Sequence, residues 1–149
     1  METIHEILEK KGREIYSVTP DTTVFEALTL MAEKNIGAVL VLDGEKLTGI
    51  MSERDYARKI ALKGKFSKEV PVKEIMSSDV ICVGSEQTIN NTKAIMINKR
   101  IRHLPVLEDQ KLVGIISIGD VVNAVLDEKT FMIDQLESYI KGVTDPGSK

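Results

Sequence analysis

The sequence predicts an α+β fold in which one β-α-β-β-α unit occurs twice, the two copies packed about a pseudo-twofold axis. Two observations carry this prediction: a self-match at constant offset, and the same order of strand and helix signals inside each copy. At an offset of 65 residues Val18 falls on Val83, Thr23 on Thr88, Met31 on Met96, Lys34 on Lys99, Ile36 on Ile101 and Val41 on Val106. The same shift carries Lys46, Leu47, Gly49, Ile50, Ser52 and Asp55 onto Lys111, Leu112, Gly114, Ile115, Ser117 and Asp120. Register therefore holds without a gap from Val18 to Asp55, which chance does not sustain. A unit below about 70–80 residues buries too little apolar surface to stand alone, so the copies should pack on each other. Two similar clefts would then flank the junction.

Each element follows from local chemistry. The echo HEIL at His5–Leu8 and KEIM at Lys73–Met76 gives each copy a short helical lead-in, the first lengthened by Gly12, Arg13 and Glu14. Val18-Thr19-Pro20 and Cys82-Val83-Gly84 read as short strands stopped by Pro or Gly. Asp21 to Thr23 and Ser85 to Thr88 then supply helix N-cap side chains. In the first copy Val24, Leu28 and Met31 recur at helical spacing, and both helices run out just before Ile36 and Ile101. A hairpin follows: Gly37 to Leu42 and Leu47 to Met51 around Asp43-Gly44-Glu45, repeated as Leu104 to Leu107 and Leu112 to Ile116 around Glu108-Asp109-Gln110. Another helix opens at Ser52 and at Ser117. Lys63 to Val70 reads as the linker, so the boundaries predicted are 1–66 for the first domain and 67–128 for the second. Residues 129–149 are left as a C-terminal helix and a disordered tail beginning at Thr144. On that helix Phe131, Ile133, Leu136, Tyr139 and Ile140 form an apolar stripe suited to a homodimer surface.

Composition excludes several function classes. With 42% apolar and 29% charged residues the chain has the profile of a globular domain. Its longest apolar run, Ile36 to Leu42, is too short for a bilayer, and METIHEILEKK is charged where a signal peptide is apolar, so the expected location is the cytoplasm and no membrane contact is expected. Cys82 is the single cysteine and is expected to be buried, which rules out an internal disulfide and leaves no thiolate metal site. A net charge of −3, with three Phe, three Tyr and no Trp, argues against nucleic acid. His5 and His103 lie in different elements with no nucleophile arranged around them, so neither an enzyme nor a metal site is expected.

The candidate chemistry lies in GIMSERD from Gly49 and GIISIGD from Gly114. A Ser with an acid three residues on, where a strand gives way to a helix, is a capping-box signature and needs no ligand. The same parts also suit a nucleotide. The glycines allow close backbone approach, free N–H groups at a helix start hold phosphate, and a carboxylate takes both hydroxyls of a ribose. No G-x-G-x-x-G or G-x-x-x-x-G-K-[ST] motif is present, so a dinucleotide would bind by another fold.

Two copies of this unit, each closing on G-h-h-S-x-x-D, with Arg102-His103-Leu104-Pro105-Val106 in the second, resemble a pair of CBS domains, also called a Bateman module. The resemblance runs from Thr3 to about Leu126. NIGAVLV, SERDYARK, RHLPVL, SIGDVV and QLESYI are similar to the small stand-alone CBS-pair proteins of bacteria. It implies binding of AMP, ADP, ATP or NAD(H) between the copies, without metal. It assigns ribose to Asp55 and Asp120, and a ribose or phosphate contact to Ser52 and Ser117. Adenine would lie among Val18, Ile36, Gly37, Ala38, Val39, Val83 and Ile101 to Leu104. Arg102 and His103 match the family's phosphate-facing pair. The resemblance also implies a homodimer and an unidentified regulated protein as partners.

The copies are unequal in charge. Gly37 and Ala38 stand where the second copy has Arg102 and His103, while Arg54 and Arg58 stand where it has Gly119 and Asn123. Arg54 and Arg58 are thus candidate phosphate cations, although Arg58 with Lys59 also reads as a solvated helix face. Two functions follow: an adenylate sensor, or a structural module whose Ser and Asp only cap helices.

Overall fold

The computed structural model describes residues 2–144, with side chains described through Lys141. Of the expected tail, 145–149 lie outside the described residues. The chain forms two compact units that are not consecutive halves: one is Glu14–Cys82, and the other joins the segment ending at Arg13 to the chain from Val83 onward.

In the unit Glu14–Cys82, strand β1 (Ser17–Val18) pairs parallel to β2 (Ala38–Asp43), which pairs antiparallel to β3 (Lys46–Ser52). Between β1 and β2 runs helix α2 (Val24–Lys34). Thr23 caps it, its hydroxyl accepting the Glu26 N–H at 3.1 Å, and Asn35 ends it in the left-handed region at φ 53°. The β-branched and aliphatic run of β2 is buried, and Val24, Ala27 and Met31 on one face of α2 pack with Val39, Val41 and Met51. A short helix α3 (Glu53–Tyr56) then widens into a π-helical turn at Ala57–Ala61. The core is completed by Val72, which opens a 3₁₀ turn at Val72–Glu74, and by Ile75, which closes it.

The other unit repeats the plan. Its sheet is ordered β4 (Val83–Gly84), β5 (His103–Glu108), β6 (Lys111–Ser117), with α4 (Ile89–Lys99) between β4 and β5. The Thr88 hydroxyl caps α4, accepting the Asn91 N–H at 3.1 Å, and Arg100 closes it at φ 55°. Helix α1 (Ile4–Lys11) docks here through Ile4 and Leu8, both fully buried, and Ile7. Eight residues are too few for a stable isolated helix in water, so α1 depends on this burial, which contributes about 1.5–3 kcal/mol per large side chain. Bonds from Ile4 N–H to Gln87 C=O (2.9 Å) and from His5 N–H to Ser85 C=O (2.8 Å) hold its first turn.

The lead-ins are exchanged relative to the sequence order. HEIL precedes the first repeat and packs with the second, whereas KEIM precedes the second repeat and packs with the first. Two expectations are corrected. The second lead-in is a 3₁₀ turn, because Pro71 and the bridge between Ile50 and Ser77 leave no room for a full helix. The final helix is one continuous element, α5 (Ile118–Thr144), with no break near Asp127, since nothing from Asp127 to Thr130 terminates a helix. Its residues Phe131, Ile133, Leu136, Tyr139 and Ile140 are exposed.

Candidate functional site

Each repeat brings its Ser and Asp together where the last strand of the hairpin becomes a helix. The register is the same: Ser52 lies opposite Ala38 and Ser117 opposite His103. The helix starts are tied identically to the preceding strand, Glu53 N–H to Gly37 C=O at 3.1 Å and Ile118 N–H to Arg102 C=O at 2.8 Å. Both capping boxes are closed. Asp55 Oδ2 accepts the Ser52 N–H at 2.9 Å while Ser52 Oγ accepts the Asp55 N–H at 3.2 Å. In the second repeat the corresponding distances are 2.8 Å and 3.1 Å. Capping thus engages Oδ2 of each carboxylate.

What neutralises each carboxylate differs. Asp120 Oδ2 accepts a hydrogen bond from Lys11 Nζ at 2.6 Å, and the same ammonium donates to the Ile115 carbonyl at 2.9 Å. Asp55 has Lys59 of its own helix, whose Nζ lies 3.5 Å from Oδ1 and donates to the Ile75 carbonyl at 2.8 Å. The π-helical turn at Ala57–Ala61 carries Lys59, and such wide turns recur at functional positions. In the second repeat Ala124 stands at that place, and the cation comes from α1 instead.

Burial raises the Asp120 carboxyl, but the Lys11 ammonium and the Ser117 N–H and hydroxyl together outweigh it, leaving its pKa below the usual value. His103 is pushed down, first by burial and then by the Lys11 charge, with Asp120 opposing and Arg102 reinforcing. Arg102, His103, Ser117, Asp120 and Lys11 are therefore one electrostatic neighbourhood. A pocket of about 210 Å³ opens beside it, lined by Ile7, Lys10, Lys11, Asp120, Asn123 and Ala124 among others.

The remaining candidates separate into three groups. Ala38, Val39, Val83 and Leu104 are core residues, so any ligand contact there would fall to their main chain. Val18, Ile36, Gly37 and Ile101 are half-buried at strand and helix ends. Ile36 and Gly37 line a larger open pocket of about 610 Å³ with Leu28, Met31 and Tyr56. Arg54 and Arg58 are exposed and make no ion pair among the described residues, and Arg102 is exposed likewise. Cys82 is half-buried rather than buried, and burial raises its thiol.

The glycines of the motif have a packing role that spacing alone does not reveal. A Cβ on Gly114 would meet Leu8 Cδ2 at 2.8 Å, and one on Gly49 would meet the Met76 side chain and come within 3.0 Å of the Ser77 carbonyl. The close approach these glycines permit is by the lead-ins. No local signal in the sequence links Lys11 to Asp120. Lys59, four residues after Asp55, carries the ordinary helical ion-pair spacing.

The repeated geometry has a match among known proteins. The CBS-domain family model matches residues 4–62 and 72–127. The chain belongs to the CBS-domain family. It is 48% identical to a solved protein with CBS domains from Burkholderia ambifaria MC40-6, the match covering 85% of this chain and 95% of that one at a TM-score of 0.83. It is 37% identical to the mitochondrial CBS domain-containing protein CBSX3 of Arabidopsis thaliana, over 94% of this chain and 72% of that protein. The fold also matches the CBS domain pair of protein MJ0100, solved in complex with 5′-methylthioadenosine and S-adenosyl-L-methionine, at a TM-score of 0.75 and 22% identity, covering 86% of this chain and 98% of that one. No helix among the described residues is long and apolar enough to cross a membrane, and no group of three metal-ligating side chains occurs among them.

Proposed function

We propose that this CBS pair is a regulatory sensor of adenine nucleotides, AMP, ADP, ATP or NAD(H), that passes ligand occupancy to a partner protein through a change in conformation. The observation that carries this reading is the pairing, in both repeats, of a half-buried aspartate and a serine at a helix start, with the capping bonds confined to Oδ2. Oδ1 of Asp120 accepts no hydrogen bond from the described residues, so it stands ready for a ribose hydroxyl. In the second repeat Arg102 adds a guanidinium suited to phosphate, and His103 a neutral ring N–H donor that a nearby phosphate would favour protonating. The MJ0100 complexes support the view that this fold accommodates adenosine compounds.

The test is a calorimetric titration of AMP into wild type and Asp120→Ala. Loss of charge-assisted ribose bonds should weaken binding by about 1.5–3 kcal/mol, against about 1 kcal/mol of stability for a lost cap. Unchanged affinity with a lower melting temperature would favour the alternative, a structural module, which the two closed capping boxes support.

The proposed assembly is a homodimer using α5, whose exposed Phe131, Ile133 and Leu136 are costly to leave in water. Ile133→Asp combined with Leu136→Asp should convert dimer to monomer in sedimentation; a wild type that is monomeric at micromolar concentration would reject it.

A further inference from the structure

The two hydroxyls of a ribose at Asp120 would require both carboxylate oxygens, and Lys11 holds the second, Oδ2, beside the open Oδ1. Its ammonium donates at once to a carboxylate oxygen and to a main-chain carbonyl, Asp120 Oδ2 at 2.6 Å and Ile115 O at 2.9 Å. A vicinal diol presents two O–H donors and seeks a similar set. The contact is the tightest ion pair among the described residues, and its partners are partly shielded, Lys11 with 33% and Asp120 with 21% of the side chain exposed. A charge-assisted bond of this length is strong. The first repeat's counterpart is looser: Lys59 donates to the Ile75 carbonyl at 2.8 Å but stands off Asp55 at 3.5 Å.

The backbone around Lys11 permits the side chain to leave. Lys11 is the last residue of α1, and Gly12 follows at φ 100° with open space around its Cβ direction. The buried anchors Ile4 and Leu8 lie one to two turns earlier, so withdrawal of Lys11 does not require the helix to undock.

We propose that Lys11 is an internal competitor that sets the affinity of the Asp120 station: a nucleoside binds there by displacing the Lys11 ammonium, and the second repeat is thereby the weaker of the two until Lys11 is removed. This rests on the reading of Asp120 as a ribose acceptor. Displacement exchanges one set of donors for another, so occupancy of Asp120 is read out as a freed C-terminal end of α1, a local two-state element that a ligand can bias.

The experiment titrates adenosine and AMP into the full chain as wild type, Lys11→Met, Lys11→Gln, Lys59→Met and Asp120→Ala. Lys11→Met should tighten one site about tenfold for adenosine and leave the other unchanged, Lys11→Gln should fall between, and Lys59→Met should change affinity less. Combining Lys11→Met with Asp120→Ala should abolish the gain. If wild type binds and Asp120→Ala weakens binding, yet both Lys11 variants bind equally or more weakly, competition is overturned while the ribose role stands. If neither wild type nor the Lys11 variants bind, or Asp120→Ala changes nothing, the ribose role falls and the competitor with it.

Discussion

The two repeats share register, capping and sheet order, yet each solves the problem of a half-buried carboxylate with a different lysine. In the first repeat the cation is local, four residues along the same helix, and the helix widens into a π turn where it sits. In the second the cation arrives from the chain's N-terminal helix, 109 residues away in sequence, and bonds much more closely. A local pair needs no docking, whereas a long-range pair ties the state of the aspartate to the position of α1. The repeats therefore share the geometry of the capped aspartate and differ in its ion pairing.

The difference is most easily broken at the motif glycines. Leu8 is fully buried, so a methyl at Gly114 overpacks the α1 contact. Met76 is half-buried and adaptable, although the Ser77 carbonyl limits the relief at Gly49. Gly114→Ala should cost about 2–3 kcal/mol and Gly49→Ala about 1–2 kcal/mol, read from denaturant midpoints at unchanged slope. Equal and negligible costs would mean that the lead-ins do not pack as described.

Much of the fold could be read in the repeat itself. Matching positions 65 apart became matching strands, caps and left-handed helix ends, and Asn35 and Arg100 fall on the same geometry although their side chains differ. The exchange of lead-ins could not be read, because HEIL and KEIM look like parts of the repeats they precede and only tertiary packing assigns them. The same reason hid Lys11: the three extra residues Gly12 to Glu14 put it out of register with the repeat. The glycines were visible as a motif, but close approach by a ligand and by a leucine demand the same missing Cβ.

Next in size is the contrast between the aspartates. Asp120→Ala removes a cap and a short ion pair at 2.6 Å and should cost about 2 kcal/mol of stability, whereas Asp55→Ala removes a cap and a looser pair at 3.5 Å and should cost about 1 kcal/mol. The Asp120 term has a defined pH dependence. Because its folded pKa lies below the unfolded value near 3.8, its contribution is present above that value and disappears as pH falls through the folded one. Urea midpoints from pH 6 to pH 3 should thus fall more steeply for wild type than for Asp120→Asn, and parallel curves would refute the assignment.

The smallest effect belongs to His103, which has no counterpart in the first repeat because Ala38 stands there. Burial and neighbouring cations hold its folded pKa below the ordinary 6.5, so between that folded value and 6.5 the unfolded chain binds more protons than the native one. Stability must then decline as pH drops through 6.5 and level off once the folded imidazole also protonates. His103→Gln should flatten this slope by a few tenths of a kcal/mol while leaving the lower-pH Asp120 slope intact. Ligand reverses the sign locally. A phosphate placed beside His103 favours the imidazolium, so AMP binding should take up protons near pH 6.5, and AMP affinity should rise on acidification while adenosine affinity does not. Calorimetry in buffers of different ionisation enthalpy measures that uptake directly. Equal proton uptake for AMP and adenosine, or uptake that survives His103→Gln, would place the phosphate away from Arg102 and His103.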